Sequence, residues 1–196
     1  MPRTARIITK ETPMHIMCRG NNRLAVLTSA SDKLLLYGLM YRYKIDNQID
    51  ILHYCIMNNH IHLIVCLGES GNISRFMKQL SLAYCRYYIK QYDYCGHLWQ
   101  GRFKSVIIKS DSQALQCGKY IELNPVRAGI ISDPGDYPFS SYRHYAKGKE
   151  DGLVTPNPAF NGLGLTIETK RLTYSSFVTA QDYYTINYPK HRKNRS

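Results

Sequence analysis

The sequence of 196 residues is short of several things, and each shortage excludes a class of protein. It has no apolar run near the roughly 18 residues a membrane-spanning helix needs, so no transmembrane segment is expected. Behind Arg3, Arg6 and Lys10 there is no apolar stretch of the kind a secretory signal carries, which makes the cytoplasm the default compartment. The cysteines, Cys18, Cys55, Cys66, Cys85, Cys95 and Cys117, include no C-x-x-C pair, and in an unsecreted chain they read as reduced thiols, not disulfides or zinc ligands. Negative charge is scarce: 14 Asp and Glu face 26 Lys and Arg, for a formal net charge of +12. A polyanion is therefore the expected partner. No basic amphipathic helix or lipidation motif points to a membrane surface, whereas 17 tyrosines suit stacking on unpaired bases, so nucleic acid is expected and a membrane is not.

What is present fits one compact domain, since domains run to about 100–200 residues. The texture changes near Lys147, where Lys-Gly-Lys-Glu-Asp-Gly opens a stretch rich in Gly, Pro and Asn. This divides the chain into a domain over 1–147 and a C-terminal extension over 148–196. The extension ends in a basic run, Lys190 to Arg195, suited to sequence-independent affinity. Within the domain, Met14 to Arg19 reads as a strand and Gly20-Asn21-Asn22 as a turn. Ser31 to Lys44 reads as a helix with Leu34, Leu35, Tyr37, Gly38 and Tyr41 near helical spacing. Ile51 to Met57 and Ile61 to Cys66 are apolar runs joined at Asn58-Asn59, a pair that tolerates the positive φ of a tight hairpin. Asn72 to Tyr92 carries Ile73, Phe76, Met77, Leu80, Tyr84, Tyr87 and Tyr88 on one helical stripe. Phe103 to Lys109 is a strand, and Ser110-Asp111-Ser112-Gln113 is a capping-box pattern opening a helix that Pro125 ends near Asn124. The order is β-α-β-β-α-β, an α+β ferredoxin-like antiparallel sheet with two helices on one face. An additional helix, carrying Tyr120, remains to cross the other face.

His60 and His62 lie two apart in a strand, so both imidazoles project from one face, close enough to share a cation. They interrupt a largely apolar surface, where an unpartnered polar ring is costly. A divalent ion needs a further oxygen or nitrogen donor. Tyr120 and Asn124 are four apart on the last helix and bring a phenol and an amide oxygen to one side, while Glu122 is a carboxylate rival turned away from them. Spacing alone does not choose a nucleophile among so many tyrosines.

The segment Tyr54-Cys55-Ile56-Met57-Asn58-Asn59-His60-Ile61-His62-Leu63-Ile64-Val65 resembles the histidine-hydrophobe-histidine motif of the HUH single-tyrosine transposases. Four further stretches resemble that family's successive motifs in the same order. They are Met14-His15-Ile16-Met17-Cys18-Arg19-Gly20-Asn21-Asn22-Arg23, Gly96 to Ser105, Tyr120-Ile121-Glu122-Leu123-Asn124-Pro125-Val126-Arg127-Ala128-Gly129, and Asp136 to Tyr142. The chain is most similar to the REP-associated tyrosine transposases over residues 10–145. Asn58 departs from the pattern, standing where that family usually has proline.

The resemblance implies that His60 and His62 bind Mg²⁺ or Mn²⁺, that Tyr120 is the nucleophile and that Asn124 completes the metal shell. A tyrosine with a free pKa of about 10 attacks a phosphodiester weakly, so a metal that polarises the phosphate suits this chemistry. The implied substrate is single-stranded DNA bearing a palindromic hairpin. Cleavage beside it would leave a 5′-phosphotyrosine and a free 3′-hydroxyl. Arg19, Arg23, Arg102, Lys104 and Arg127 are candidate phosphate clamps and Trp99 a stacking surface, each with a plain alternative as surface charge or core aromatic. Tyr84, Tyr87, Tyr88 and Tyr92 are rival nucleophiles that read more simply as a packing stripe. Family analogy allows a partner's tyrosine helix to complete the site or a monomer with its site assembled in cis, and the monomer is preferred. A bacterial, nucleoid-associated location follows from the same analogy. Two other functions stay open: a non-catalytic hairpin-binding regulator of DNA or RNA, and a metal nuclease that activates water.

Overall fold

The computed structural model describes residues 12–180. Arg3, Arg6, Lys10 and the basic run from Lys190 to Arg195 lie outside the described residues. Strands β1 (Met14–Arg19), β2 (Ile49–Ile56), β3 (His60–Leu67) and β4 (Lys104–Ile107) form one antiparallel sheet in the order β2-β3-β1-β4. Helices α1 (Ala30–Asp46) and α2 (Ile73–Tyr92) pack together on one face. Helix α3 (Asp111–Glu122) crosses the other, against β2 and β3. This is the expected ferredoxin-like arrangement with its extra helix. Short helices α4 (Asn124–Arg127) and α5 (Tyr142–Lys147) and a final α6 (Ile167–Thr179) follow.

The alternation of β3 builds both faces. Ile61, Leu63 and Val65 join Met14 and Ile16 of β1 and Phe76 and Leu80 of α2 in the larger core. Ile64 meets Cys117 and Ile121 of α3 on the other side. Helix α1 turns Leu36 and Met40 inward, while Leu34 and Tyr41, two of the residues at helical spacing, are exposed. Asn72 caps α2 by accepting from the Arg75 amide. At α3, Ser110 Oγ accepts from the Gln113 amide at 3.2 Å, but the Gln113 side chain reaches past the cap to accept from the Lys109 amide, so the expected reciprocal box is half formed. Pro125 does not end helical structure outright. Leu123 breaks α3 from α4, and the proline sits in the first turn of α4, where its missing amide costs nothing.

The turn before His60 differs from expectation in its cause. Neither Asn58 nor Asn59 adopts positive φ. Tertiary bonds hold it instead: Lys33 Nζ donates to Asn58 Oδ1 at 2.9 Å, and the amides of Leu27 and Gly20 donate to the carbonyls of Asn58 and Asn59, each at 2.8 Å. Gly20 is required there because a Cβ would collide with the Leu24 carbonyl.

Beyond Lys147 the chain returns to the main core, where Leu153, Val154, Phe160, Tyr174 and Val178 are buried with the sheet and α1. Residues 139–141 and 154–155 also run along the outer border of β2. The Ile56 amide donates to Phe139 O, Ser141 to Tyr54 O, and Thr155 to Ile51 O. No helix among the described residues is long and apolar enough to cross a membrane.

Candidate active site

In the β1–β3 pairing, Met17 lies opposite His62 and Arg19 opposite His60. Alternation therefore puts His15, Met17 and Arg19 on the α3 face with the two histidines. The rings of His60 and His62 meet edge-on at 4.8 Å. His15, a residue that sequence reading did not single out, is buried and stacks on His62 at 5.0 Å, with its Nε2 2.8 Å from His62 Nδ1. Only the register between β1 and β3, which are not consecutive, brings the two together.

Helix α3 delivers Tyr120, whose ring lies 5.8 Å from His62 and 6.3 Å from His15, edge-on to both. Asn124 donates its Nδ2 to Tyr120 O at 2.8 Å and Ile121 O at 3.2 Å, which leaves its Oδ1 as the functional end of the amide, and its side chain also engages His60. His60 Nδ1 lies 2.5 Å from Asn59 Oδ1, an atom that can only accept, so the proton sits on Nδ1 and Nε2 keeps its lone pair. Burial and the nearby Arg19 hold the His60 pKa down to about 4, an effect that the facing Asn124 carboxamide only partly offsets. Burial lowers His15 to about 3. It also takes His62 well below its usual value, helped by the neighbouring His15, His60 and Arg19. All three rings are neutral at pH 7.

Among the described residues no three His, Cys, Asp or Glu side chains converge as a metal cluster. The donors that do fit a divalent ion are His60, His62 and the Asn124 carboxamide oxygen, a set without net charge. Such a set leaves the ion's charge to be matched by a phosphate.

Of the basic candidates, Arg127 and Arg19 lie at this cluster. The Arg127 guanidinium lies 4.9 Å from the Tyr120 ring centroid and is exposed. Arg19 is half-buried with no partner for its Nε. Arg23, Arg102 and Lys104 are exposed, Lys104 pairing with Met17 across the β1–β4 border. Trp99 is placed differently: its indole donates to Ser81 O at 3.2 Å and its ring packs on Tyr84 at 5.7 Å, a core role for the proposed stacking surface. The rival tyrosines are engaged too. Tyr84 donates to Val26 O, and Tyr87 and Tyr92 donate to Asp32.

Glu122 lies on the far side of α3, wholly buried. It accepts from Ser141 Oγ at 2.6 Å, Tyr174 OH at 2.7 Å and His53 Nδ1 at 3.0 Å. Asn157 Nδ2 donates to His53 Nε2 at 3.0 Å. The sequence turns Glu122 away from Tyr120, as observed, but its three partners come from distant segments that spacing cannot join. Gly118 lets His53 approach α3: a Cβ there would stand 2.8 Å from the imidazole Cε1.

Residues 9–124 match the model of the family described as IS200-like transposases. The chain belongs to that family. The chain is 31% identical over 105 residues to a putative REP-associated tyrosine transposase of Haemophilus influenzae. That match covers 47% of the chain but only 58% of the relative. It is 28% identical over 132 residues to the REP-associated tyrosine transposase of Escherichia coli, covering 65% of the chain and 74% of that protein. A solved REP-associated tyrosine transposase bound to a REP hairpin shares the fold of the IS200-like chain. The TM-score is 0.63 at 20% identity, over 80% of this chain and 93% of the other.

Proposed function

We propose that this transposase is a metal-dependent endonuclease and strand transferase that cuts single-stranded DNA beside a palindromic hairpin through a 5′-phosphotyrosine intermediate. One observation carries the reading: Tyr120 stands 5.8 Å from His62, within one chain, at a cluster of neutral imidazoles with Arg19 and Arg127 beside it. A single-stranded hairpin is the partner suggested by the REP-hairpin complex of the structural relative.

His60, His62 and Asn124 would hold Mg²⁺ or Mn²⁺. When bound, that ion would polarise the scissile phosphate and offset charge developing on it. Arg19 and Arg127 flank the same position and bind phosphate oxygens. Tyr120 Oη attacks phosphorus, the bond to the 3′ oxygen breaks, and the phenolic proton ends on that oxygen as the free 3′-hydroxyl. In the reverse sense a 3′-hydroxyl from another strand attacks the phosphotyrosine, the P–O bond to tyrosine breaks, and the phenol is regenerated. The adduct conserves the energy of one phosphodiester, so cutting and joining share a site without an external energy source. Asn124, bonded to the Tyr120 carbonyl, ties the nucleophile's helix to the metal shell. That Tyr120 packs on the histidines of its own chain, 5.8 Å from His62, supports a monomer with its site assembled in cis.

The test is an SDS gel of wild type and Tyr120→Phe after incubation with end-labelled single-stranded hairpins and Mn²⁺. A labelled protein band in wild type only, lost in EDTA, is expected. Cleavage without an adduct, equal in both proteins, would replace the reading with a water-activating nuclease. Hairpin binding without cleavage would replace it with a regulator.

A further inference from the structure

The mechanism above leaves unused one imidazole. His15 is 1% exposed and shares a hydrogen bond, ring nitrogen to ring nitrogen, with His62. Such a bond contains one proton, so one ring donates and the other presents a bare lone pair. The two placements of that proton have opposite consequences. With the proton on His62 Nδ1, the Nε2 of that ring keeps its lone pair. With the proton on His15 Nε2, His62 accepts at Nδ1, and its own proton must occupy Nε2, closing that nitrogen to a cation. The choice between them decides whether His62 can serve as a ligand.

The neighbouring His60 makes the first choice unambiguously, because Asn59 Oδ1 can only accept and so fixes the proton on Nδ1. Both rings are tied through the same nitrogen, to different partners. The stacking of His15 on His62, 5.0 Å apart with planes 25° from parallel, also restricts rotation of the His62 ring.

We infer that His15 is a positioning residue that accepts from His62 Nδ1, holding His62 in the tautomer and orientation that offer Nε2 to the divalent ion. The inference rests on the proposal that His60 and His62 hold that ion. Ligating histidines are usually oriented by a carboxylate or a carbonyl. An imidazole in that position orients the ligand without adding a negative charge to the cluster.

The experiment combines Mn²⁺ titration of metal-free protein, by calorimetry and electron paramagnetic resonance, with nitrogen-15 NMR of the imidazoles. The proteins are wild type, His15→Leu, His15→Gln and His62→Ala. Loss of an orienting partner should weaken Mn²⁺ binding about 10–100-fold in His15→Leu. Hairpin binding in EDTA should be unchanged. His15→Gln, whose Oε1 can accept the same bond, should recover part of the loss. In wild type, NMR should find His62 protonated on Nδ1. That reading needs no variant and holds even if His15→Leu folds poorly. Wild-type Mn²⁺ affinity in His15→Leu alongside a defect in His62→Ala would overturn the role of His15 alone, as would a His62 proton on Nε2. Full Mn²⁺ binding by His62→Ala would overturn the metal placement and the inference with it.

Discussion

Two groups of buried histidines flank α3, and they are completed in opposite ways. His53 spends both nitrogens on the protein, Nδ1 on Glu122 and Nε2 on Asn157, and Asn157 Oδ1 in turn accepts from the Ala159 amide, which fixes which way its amide faces. His60 and His62 each have Nδ1 engaged, with Asn59 and His15, in a cluster that also holds Tyr120, Asn124 and Arg19. The saturated group joins β2, α3, residue 141 and α6 into one body. The unsaturated group has chemistry left to perform. The residue type is the same in both, with His53 and His62 buried and His60 half-buried, and the difference lies in what the second nitrogen finds.

The comparison breaks if removing either group has the same effect. The largest separation is expected for Tyr120→Phe, which should lose the covalent adduct by at least about a thousandfold while its urea unfolding curve stays close to that of wild type. Glu122→Ala should do the reverse in kind. It strands the donors of His53, Ser141 and Tyr174 in the core, and a loss of about 3–5 kcal/mol in unfolding free energy is expected.

Acid should sharpen the contrast further. For His60, about 4 folded against 6.5 unfolded, and for His15, about 3, the folded state binds fewer protons than the unfolded chain. Their neutral forms are therefore fully favourable above pH 6.5, and stability falls as pH drops below it. Each contributes a slope approaching about 1.4 kcal/mol per pH unit until its folded pKa is reached. Urea titrations in EDTA between pH 7 and pH 4 should show this decline, and His60→Gln should flatten part of it. A smaller effect is expected at the saturated group. Gly118→Ala pushes a methyl against His53 and should cost about 1–3 kcal/mol by thermal or urea unfolding, with metal affinity unaltered.

Much of the fold was legible because its signals are local. The alternation in β3 separates Ile61, Leu63 and Val65 from His60 and His62, and the stripe on α2 separates Phe76 and Leu80 from Arg75 and Lys78. Tyr120 and Asn124 were legible as neighbours because four residues are one helical turn. His15 was not, since its meeting with His62 depends on the pairing of strands separated by α1 and β2. The partners of Glu122 arrive from residues 53, 141 and 174, which no periodicity links. For Trp99 the sequence left base stacking and core packing both open, and its packing on Tyr84 is decided by how the segment after α2 returns to the end of β1.

The backbone bonds that residues 139–141 and 154–155 make to β2 have a consequence for life in a crowded cell. An open strand border is a template on which a second molecule can zip, and repeated zipping yields fibrils. Here one border of the sheet is already occupied at Ile51, Tyr54 and Ile56. The other is the four-residue β4, opening on Lys104. Copies of so basic a chain would meet there charge against charge, so the sheet resists aggregation at both margins.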